Sequence, residues 1–300
     1  NYTESTVNRI NVLNEIQIQD FSTSLLVYDV ALEGNALFSA FIKSCPHKYA
    51  VCGGEKLKNI TELPLHLEAL LSQLQRFPAE KSCLVGLGGG AVSDFTGFVA
   101  SIIRRGMDFH LIPTTWLAAV DSAHGGKSAM NANSAKNQIG SIHCAQTVTL
   151  CHDILMAEPE NRFQDALAEV IKIILIGRPD ISEELTMKHT WDLLPSLIES
   201  KMKIVRQDLF DQKNIRAVLN FGHTVGHVLE SAHGISHGQA VALGLRFSCR
   251  WSEKLGILGE KERVKVGKLL EALPEFESLK LKPLTEEDFI SRLVQDKKSR

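Results

Sequence analysis

The stretch Ser82-Cys83-Leu84-Val85-Gly86-Leu87-Gly88-Gly89-Gly90 decides the fold. A short apolar run ending on three glycines reads as a buried strand that turns tightly into the next element. The next element, from about 93 to 103, has helical spacing. Strand, glycine turn and helix are the unit from which parallel sheets with crossover helices are built. The same stretch can do chemistry. Glycine lets the backbone approach a phosphate, and the helix N-terminus behind it offers N–H donors and positive potential. The spacing is not a strict G-x-G-x-x-G, so on this motif alone a structural turn and a phosphate cradle stand equal.

The alternation continues on both sides. Residues 21–29 read as an earlier buried strand, 66–77 as a helix with Leu67, Leu70, Leu71 and Leu74 on one face, and Phe109–Pro113 as a third strand. From about Arg162 the texture changes. Helical patterns cover 163–176, 193–208, 216–232, 238–255, 260–273 and 285–297, and no convincing strand interrupts them. The boundary falls between about 155 and 165, which predicts a Rossmann-like α/β domain over 1–160 and an all-α domain over 161–300.

Composition narrows the function. Of the 300 residues, 44% are hydrophobic, enough for a real core. The net charge of −2 excludes a general attraction to nucleic acid or anionic membrane. Any anionic ligand must therefore be held by a local basic cluster. No signal peptide and no apolar run of membrane-spanning length is present. The six cysteines form no C-x-x-C pair and read as reduced and mostly buried, which points to the cytoplasm.

Around the glycine turn, Thr114-Thr115 can add hydroxyl donors and Asp29, ending the early strand, can accept from a ribose hydroxyl. Asp121-Ser122-Ala123-His124-Gly125-Gly126-Lys127 is a polar, glycine-rich break with a lysine behind it, a plausible anion site, and Lys136-Asn137 follows. Singly, each lysine is better read as a solvated charge. Glu169 and Lys172 share a helical face inside Ala168-Glu169-Val170-Ile171-Lys172-Ile173-Ile174, where charge is expensive unless paired or ligated. A salt bridge across helices and a site with Glu169 as oxygen ligand and Lys172 as anion contact stand about even. His223 and His227 lie four apart, and His237 follows. A lone histidine is most often a hydrogen-bonded core residue; three so close, beside Gly222, Gly226 and Gly238, favour a reactive site. Glu169 with two of them gives three N/O ligands and open positions, as in a catalytic zinc site. Arg105, Lys127, Lys172, Lys201 and Arg216, with Asn220, supply the basic pocket.

Taken in order, Gly54-Glu55-x-x-Lys58, Gly88-Gly89-Gly90-x-x-x-Asp94, Arg105-Gly106, Ile112-Pro113-Thr114-Thr115, Val120-Asp121-Ser122, Gly125-Gly126-Lys127, Lys136-Asn137, Ala168-Glu169-Val170-Ile171-Lys172, Arg216-x-x-Leu219-Asn220-x-Gly222-His223-Thr224-x-Gly226-His227, His237-Gly238 and Asp296-Lys297-Lys298 resemble the 3-dehydroquinate synthase family of the sugar-phosphate cyclase superfamily. The resemblance runs over nearly the whole chain. It implies a Rossmann-like domain followed by a helical domain, NAD, a zinc or cobalt ion, and a homodimer in the cytoplasm. It implies an anionic sugar-phosphate substrate, 3-deoxy-D-arabino-heptulosonate 7-phosphate, turned into 3-dehydroquinate and phosphate on the shikimate route. The implied course is transient oxidation, phosphate elimination, re-reduction and an intramolecular aldol closure.

Carried over by motif, Glu169, His223 and His237 ligate the metal. Asp29, Glu55, Lys58, Gly89, Gly90, Asp94, Thr114 and Thr115 line the NAD site with Lys136 beside them, and Lys127 and Asn137 contact the neighbourhood of both NAD and substrate. Asp121, Asn137, Lys172, Lys201, Arg216, Asn220 and His227 serve the substrate, joined by Lys297 or Lys298, and Arg105 reaches the phosphate from the partner subunit. The chain departs from the family pattern in several places, among them His124, where a small aliphatic residue is usual. The His227–His237 spacing is about two residues short, His-Gly-Gln replaces His-Gly-Glu, Ala157-Glu158-Pro159 replaces Thr-Leu-Pro, and the acidic stretch before Arg216 is blurred to Asp208-Leu209-Phe210-Asp211-Gln212. Three rivals follow: a sister cyclase with another sugar phosphate, a glycerol dehydrogenase-like metal alcohol dehydrogenase, and a degenerate binding protein on the same fold.

Overall fold

The computed structural model describes residues 9–14, 23–78, 82–132, 135–177, 184–273, 279 and 281–298. The chain divides into two compact units, Asn1–Glu158 and Pro159–Arg300. The first holds a six-stranded parallel sheet of β1 (Arg9–Leu13), β2 (Ser24–Asp29), β3 (Lys48–Val51), β4 (Cys83–Gly88), β5 (Phe109–Pro113) and β8 (Thr147–Cys151). The strand order is β1-β8-β5-β4-β2-β3. Helices α1 (Ala36–Ser44), α2 (Leu63–Leu74) and α3 (Gly90–Ile102) make the crossovers, and α4 (His152–Met156) follows β8. Leu25, Leu26 and Val27 pack beside Leu84, Val85 and Leu87, all buried. Strands covered on both faces need this continuous apolar run.

After β2 the chain adds β3 on one side, then crosses back to lay β4, β5 and β8 on the other. The strand order therefore reverses between β2 and β4. Ligands of open α/β sheets bind beyond the strand C-termini at such a switch point. Here those termini are Asp29 and Gly88, with Tyr28 in register with Leu87 and Gly88 with Pro113.

The sequence reading missed β1, β3, β8 and the antiparallel hairpin of β6 (Lys127–Ala132) and β7 (Ala135–Ile142). Edge strands β1 and β3 mix exposed residues with partly or fully covered ones over five and four positions, too short for a periodic signal. Three of the six cysteines are buried rather than most of them: Cys45, Cys151 and Cys249, while Cys52 is exposed.

The described part of the second unit is helical: α5 (Glu160–Gly177), α6 (Met187–Gln207), α7 (His223–His233), α8 (His237–Lys254), α9 (Glu260–Glu271) and α10 (Glu286–Lys298). No helix among the described residues is long and apolar enough to cross a membrane. The expected helix over 216–232 is two pieces. A 3₁₀-helix covers Ile215–Asn220, and α7 starts only after Gly222 at φ 81°. Arg216 and Asn220 thus stand on a different element from His223 and His227. A glycine at this left-handed position stops one helix and lets the other start at a new angle.

Helices α7 and α8 meet closely because Gly244 leaves room for the Gly222 carbonyl; any side chain there collides with that backbone oxygen. Gly244→Ala should therefore cost about 1–3 kcal/mol, the range for overpacking. Gly267, in α9 with open space around it, provides the control: Gly267→Ala should be neutral or stabilising. Urea unfolding of both variants checks the contrast; equal midpoints would remove the packing argument.

Candidate active site

In the sheet unit, expected ligand-binding residues collect around Lys58. Its buried ammonium donates to Asp94 Oδ2 at 2.6 Å and to Asn137 Oδ1 at 2.6 Å, with Glu55 at 4.0 Å. Asn131 links the group by donating to Glu55 Oε1 at 2.6 Å and accepting from the Asn137 N–H at 2.8 Å. Asn137 takes φ 56°, a left-handed conformation that asparagine tolerates. Burial pushes the Asp94 carboxyl up, Lys58 pulls it down, and the nearby charges of Glu55 and Asp121 add to the rise. Sequence reasoning missed Asn131, which carries no motif of its own.

Along the C-terminal edge of the sheet, Asp29 Oδ1 accepts from Ala31 N at 3.1 Å and Gly53 N at 3.2 Å. Gly89 is the N-cap of α3 with no side-chain cap, so the first N–H groups of that helix have no capping side chain. The Thr114 N–H donates to the Gly88 carbonyl at 2.9 Å, and Thr115 Oγ1 accepts from Ala118 N at 3.2 Å. Asp29, Gly89, Gly90, Thr114 and Thr115 therefore share one edge, as the switch point requires. Asp121 is half-buried, and Lys127 and Lys136 are exposed on the hairpin. Arg105 is exposed at φ 65°, behind Arg104 at φ 54°. Two successive left-handed arginines are strained. Arg104 holds them by donating to Ser82 Oγ and, at 2.8 Å, to the Leu74 carbonyl.

Glu158, where the family carries leucine, is buried, and its Oε2 accepts from Trp116 N at 2.5 Å. A carboxylate thus anchors the turn after Thr114-Thr115. Nothing in the sequence announced this.

In the helical unit, Glu169 of α5 is fully buried. Its Oε1 lies 3.3 Å from His223 Nε2 and 3.2 Å from His237 Nε2, and Lys172 pairs with Oε2. One ligand atom from each of Glu169, His223 and His237 falls within 4.8 Å of the others. The His227 ring stands 5.3 Å from that of His223 and 6.4 Å from that of His237, beside the cluster but not in it. His237 opens α8 behind the N-cap Ser236, which forms a capping box with Gln239. Ser236 Oγ donates to Asp165 Oδ1 at 2.5 Å, and Gly238 abuts the Asp165 backbone so closely that a side chain would collide with it. Asp165 stands one turn before Glu169, so this clamp sets His237 against its partner carboxylate.

Lys201 and Arg216 are buried. Arg216 donates to the Leu209 carbonyl at 3.0 Å. Asp208 shapes the loop before it, accepting from the N–H groups of Gln212, Lys213 and Ile215 at 2.8–3.0 Å. Asn220 is half-buried at the end of its 3₁₀-helix. The side chains of Lys297 and Lys298 lie outside the described residues.

Burial opposes the charge on Glu169, but Lys172 and the two imidazoles outweigh it and hold the carboxyl well below its usual range. Burial also opposes the charge on His237, yet Glu169 and Glu230 push it up to about 10. One carboxylate oxygen and two imidazole nitrogens converging on one point suit zinc or cobalt. A dication entering there must expel the His237 proton. Below pH 10 its affinity should fall as pH falls, by about tenfold per unit, with proton release on binding. Zinc titrations in buffers of different ionisation enthalpy check this; pH-independent affinity between 6 and 9 would contradict it.

A parallel-sheet unit followed by a helical unit is the plan of the sugar-phosphate cyclase fold. A 2-deoxy-scyllo-inosose synthase complexed with carbaglucose-6-phosphate, NAD+ and Co2+ matches at a TM-score of 0.82 and 22% identity, over 98% of this chain and 88% of that one. ValA, the 2-epi-5-epi-valiolone synthase of Streptomyces hygroscopicus subsp. jinggangensis 5008, with NAD+ and Zn2+ bound, matches at 0.80 and 20%, over 99% and 88%. In sequence, the 3-dehydroquinate synthase of Helicobacter pylori strain P12 is 36% identical over 298 residues, 96% of this chain and 84% of that one. The family models "3-dehydroquinate synthase N-terminal" and "3-dehydroquinate synthase C-terminal" match residues 48–165 and 166–299. The chain belongs to the 3-dehydroquinate synthase family, a family of lyases.

Proposed function

We propose that this chain is a 3-dehydroquinate synthase that converts 3-deoxy-D-arabino-heptulosonate 7-phosphate to 3-dehydroquinate and phosphate, using NAD and a zinc or cobalt ion. The observation that carries the reading is the buried Glu169 carboxylate facing Nε2 of His223 and His237, in a chain whose relatives bear that name. When bound, NAD supplies a reversible hydride acceptor and the dication polarises a substrate hydroxyl.

The residues divide the work by chemistry. Glu169, His223 and His237 hold the ion. The N–H groups of Gly89 and Gly90 take the pyrophosphate, Asp29 accepts from ribose, and Thr114, Thr115, Glu55, Lys58 and Asp94 complete the NAD site, flanked by Lys127 and Lys136. Lys201 and Arg216 neutralise the substrate's carboxylate and phosphate, Lys172, already paired with Glu169, donates to the substrate, and Asn137, Asn220 and Asp121 orient its hydroxyls. His227, beside the Glu169–His223–His237 cluster but not part of it, would move a proton near the departing phosphate. Arg105, exposed on its strained turn, serves the phosphate of a second subunit in a homodimer, and one of Lys297 and Lys298 serves the substrate. The same reading puts the enzyme in the cytoplasm.

Phosphate release from the heptulosonate phosphate tests the proposal. Release should need NAD and stop on chelation, without net NADH accumulating. Turnover of sedoheptulose 7-phosphate or glucose 6-phosphate in its place, or steady NADH formation, would overturn it in favour of a sister cyclase or a dehydrogenase. His223→Ala should abolish release together with metal binding; near-normal release with metal still bound would contradict the ligand assignment.

A further inference from the structure

The two histidines that face Glu169 do so through Nε2, which leaves Nδ1 of each ring to be held by something else. His223 Nδ1 donates to the Phe221 carbonyl at 3.2 Å. His237 Nδ1 lies 3.3 Å from Glu230 Oε2. Glu230 sits on α7, three residues after His227 and seven after His223, so that helix carries all three on one side. Its side chain is mostly covered, with 18% exposed.

Two features make this contact more than incidental. The His237 side chain is 35% exposed, against 10% for His223 and none for Glu169. Packing alone holds His237 least of the three. The second feature is charge. Lys172 neutralises Glu169 at close range, so the pair carries no net charge. Glu230 is the next carboxylate in contact with the cluster and adds a second negative group beside it.

We propose that Glu230 is a positioning residue for the metal site. It accepts the Nδ1–H of His237, fixes the tautomer whose Nε2 lone pair is free for the ion, and places a second carboxylate beside the ligand cluster. Carboxylates behind metal-bound histidines act in this way, and their loss typically costs about 10- to 100-fold in metal affinity. The proposal rests on the metal reading given above for Glu169, His223 and His237.

The test titrates the full metal-free chain with Co2+ alone, following its visible absorption, with a competing chelator to fix the affinity. The parent should take one Co2+ per chain. Glu230→Ala should bind about 10- to 100-fold more weakly and with an altered spectrum. Glu230→Gln, which keeps an acceptor but not the charge, should fall between. Thermal unfolding of the metal-free proteins separates a folding defect from a site defect, and the near-isosteric Gln variant keeps the test available if Ala does not fold. Parent-like Co2+ affinity and spectrum in both variants would overturn the role of Glu230 alone. A parent that takes no Co2+ would overturn the metal reading and this proposal with it.

Discussion

The helical unit is organised around one costly act, the burial of the Glu169 carboxylate. An isolated charge in such a place is untenable, and the chain meets the cost from every side. Lys172, one turn along the same helix, takes one oxygen; two imidazoles face the other. The rest of the unit delivers those imidazoles. Close glycine contacts let α7 and α8 approach each other, the left-handed Gly222 starts α7 at His223, and the Asp165–Ser236 clamp starts α8 at His237. Each device is local, and all converge on one buried oxygen.

The sheet unit works differently. Its candidate site is made largely of backbone at the C-terminal ends of parallel strands, where the reversal of strand order opens a crevice. Charge enters mainly through Lys58, buried among Asp94, Asn137 and Glu55. That network ties β7, α3 and the turn after β3 together, so the residues expected to meet a dinucleotide also hold one another in place.

The chain's departures from its family have physical compensations. Gln239, in place of the usual glutamate, still closes the capping box at the head of α8, since glutamine accepts the same N–H. The shortened connection between α7 and α8 is closed by the left-handed Gly234 and tied down by Ser236. The blurred acidic stretch keeps Asp208, whose carboxylate collects the N–H groups of the loop that leads to Arg216. Glu158 replaces a leucine yet anchors the turn after β5 through Trp116 N.

Sequence alone determined the broad plan and the identity of the cluster. Strand β4 with its glycines, the change to helical periodicity near Arg162, and the spaced motifs around Glu169, His223 and His237 are local patterns, and local patterns survive being read one residue at a time. What depended on distant partners did not. The edge strands and the hairpin have too little periodicity to show without their neighbours. The break between Arg216 and His223 looks like continuous helix until Gly222 takes a left-handed angle. An ion pair for Glu169 and Lys172 was visible as one of two readings, but with partners across helices; their pairing with each other along α5, the placement of Glu230 behind His237 and of Asp208 beneath its loop belong to the tertiary structure. A side chain's role there is set by which atom of a remote group it meets, and spacing along the chain does not encode that distance.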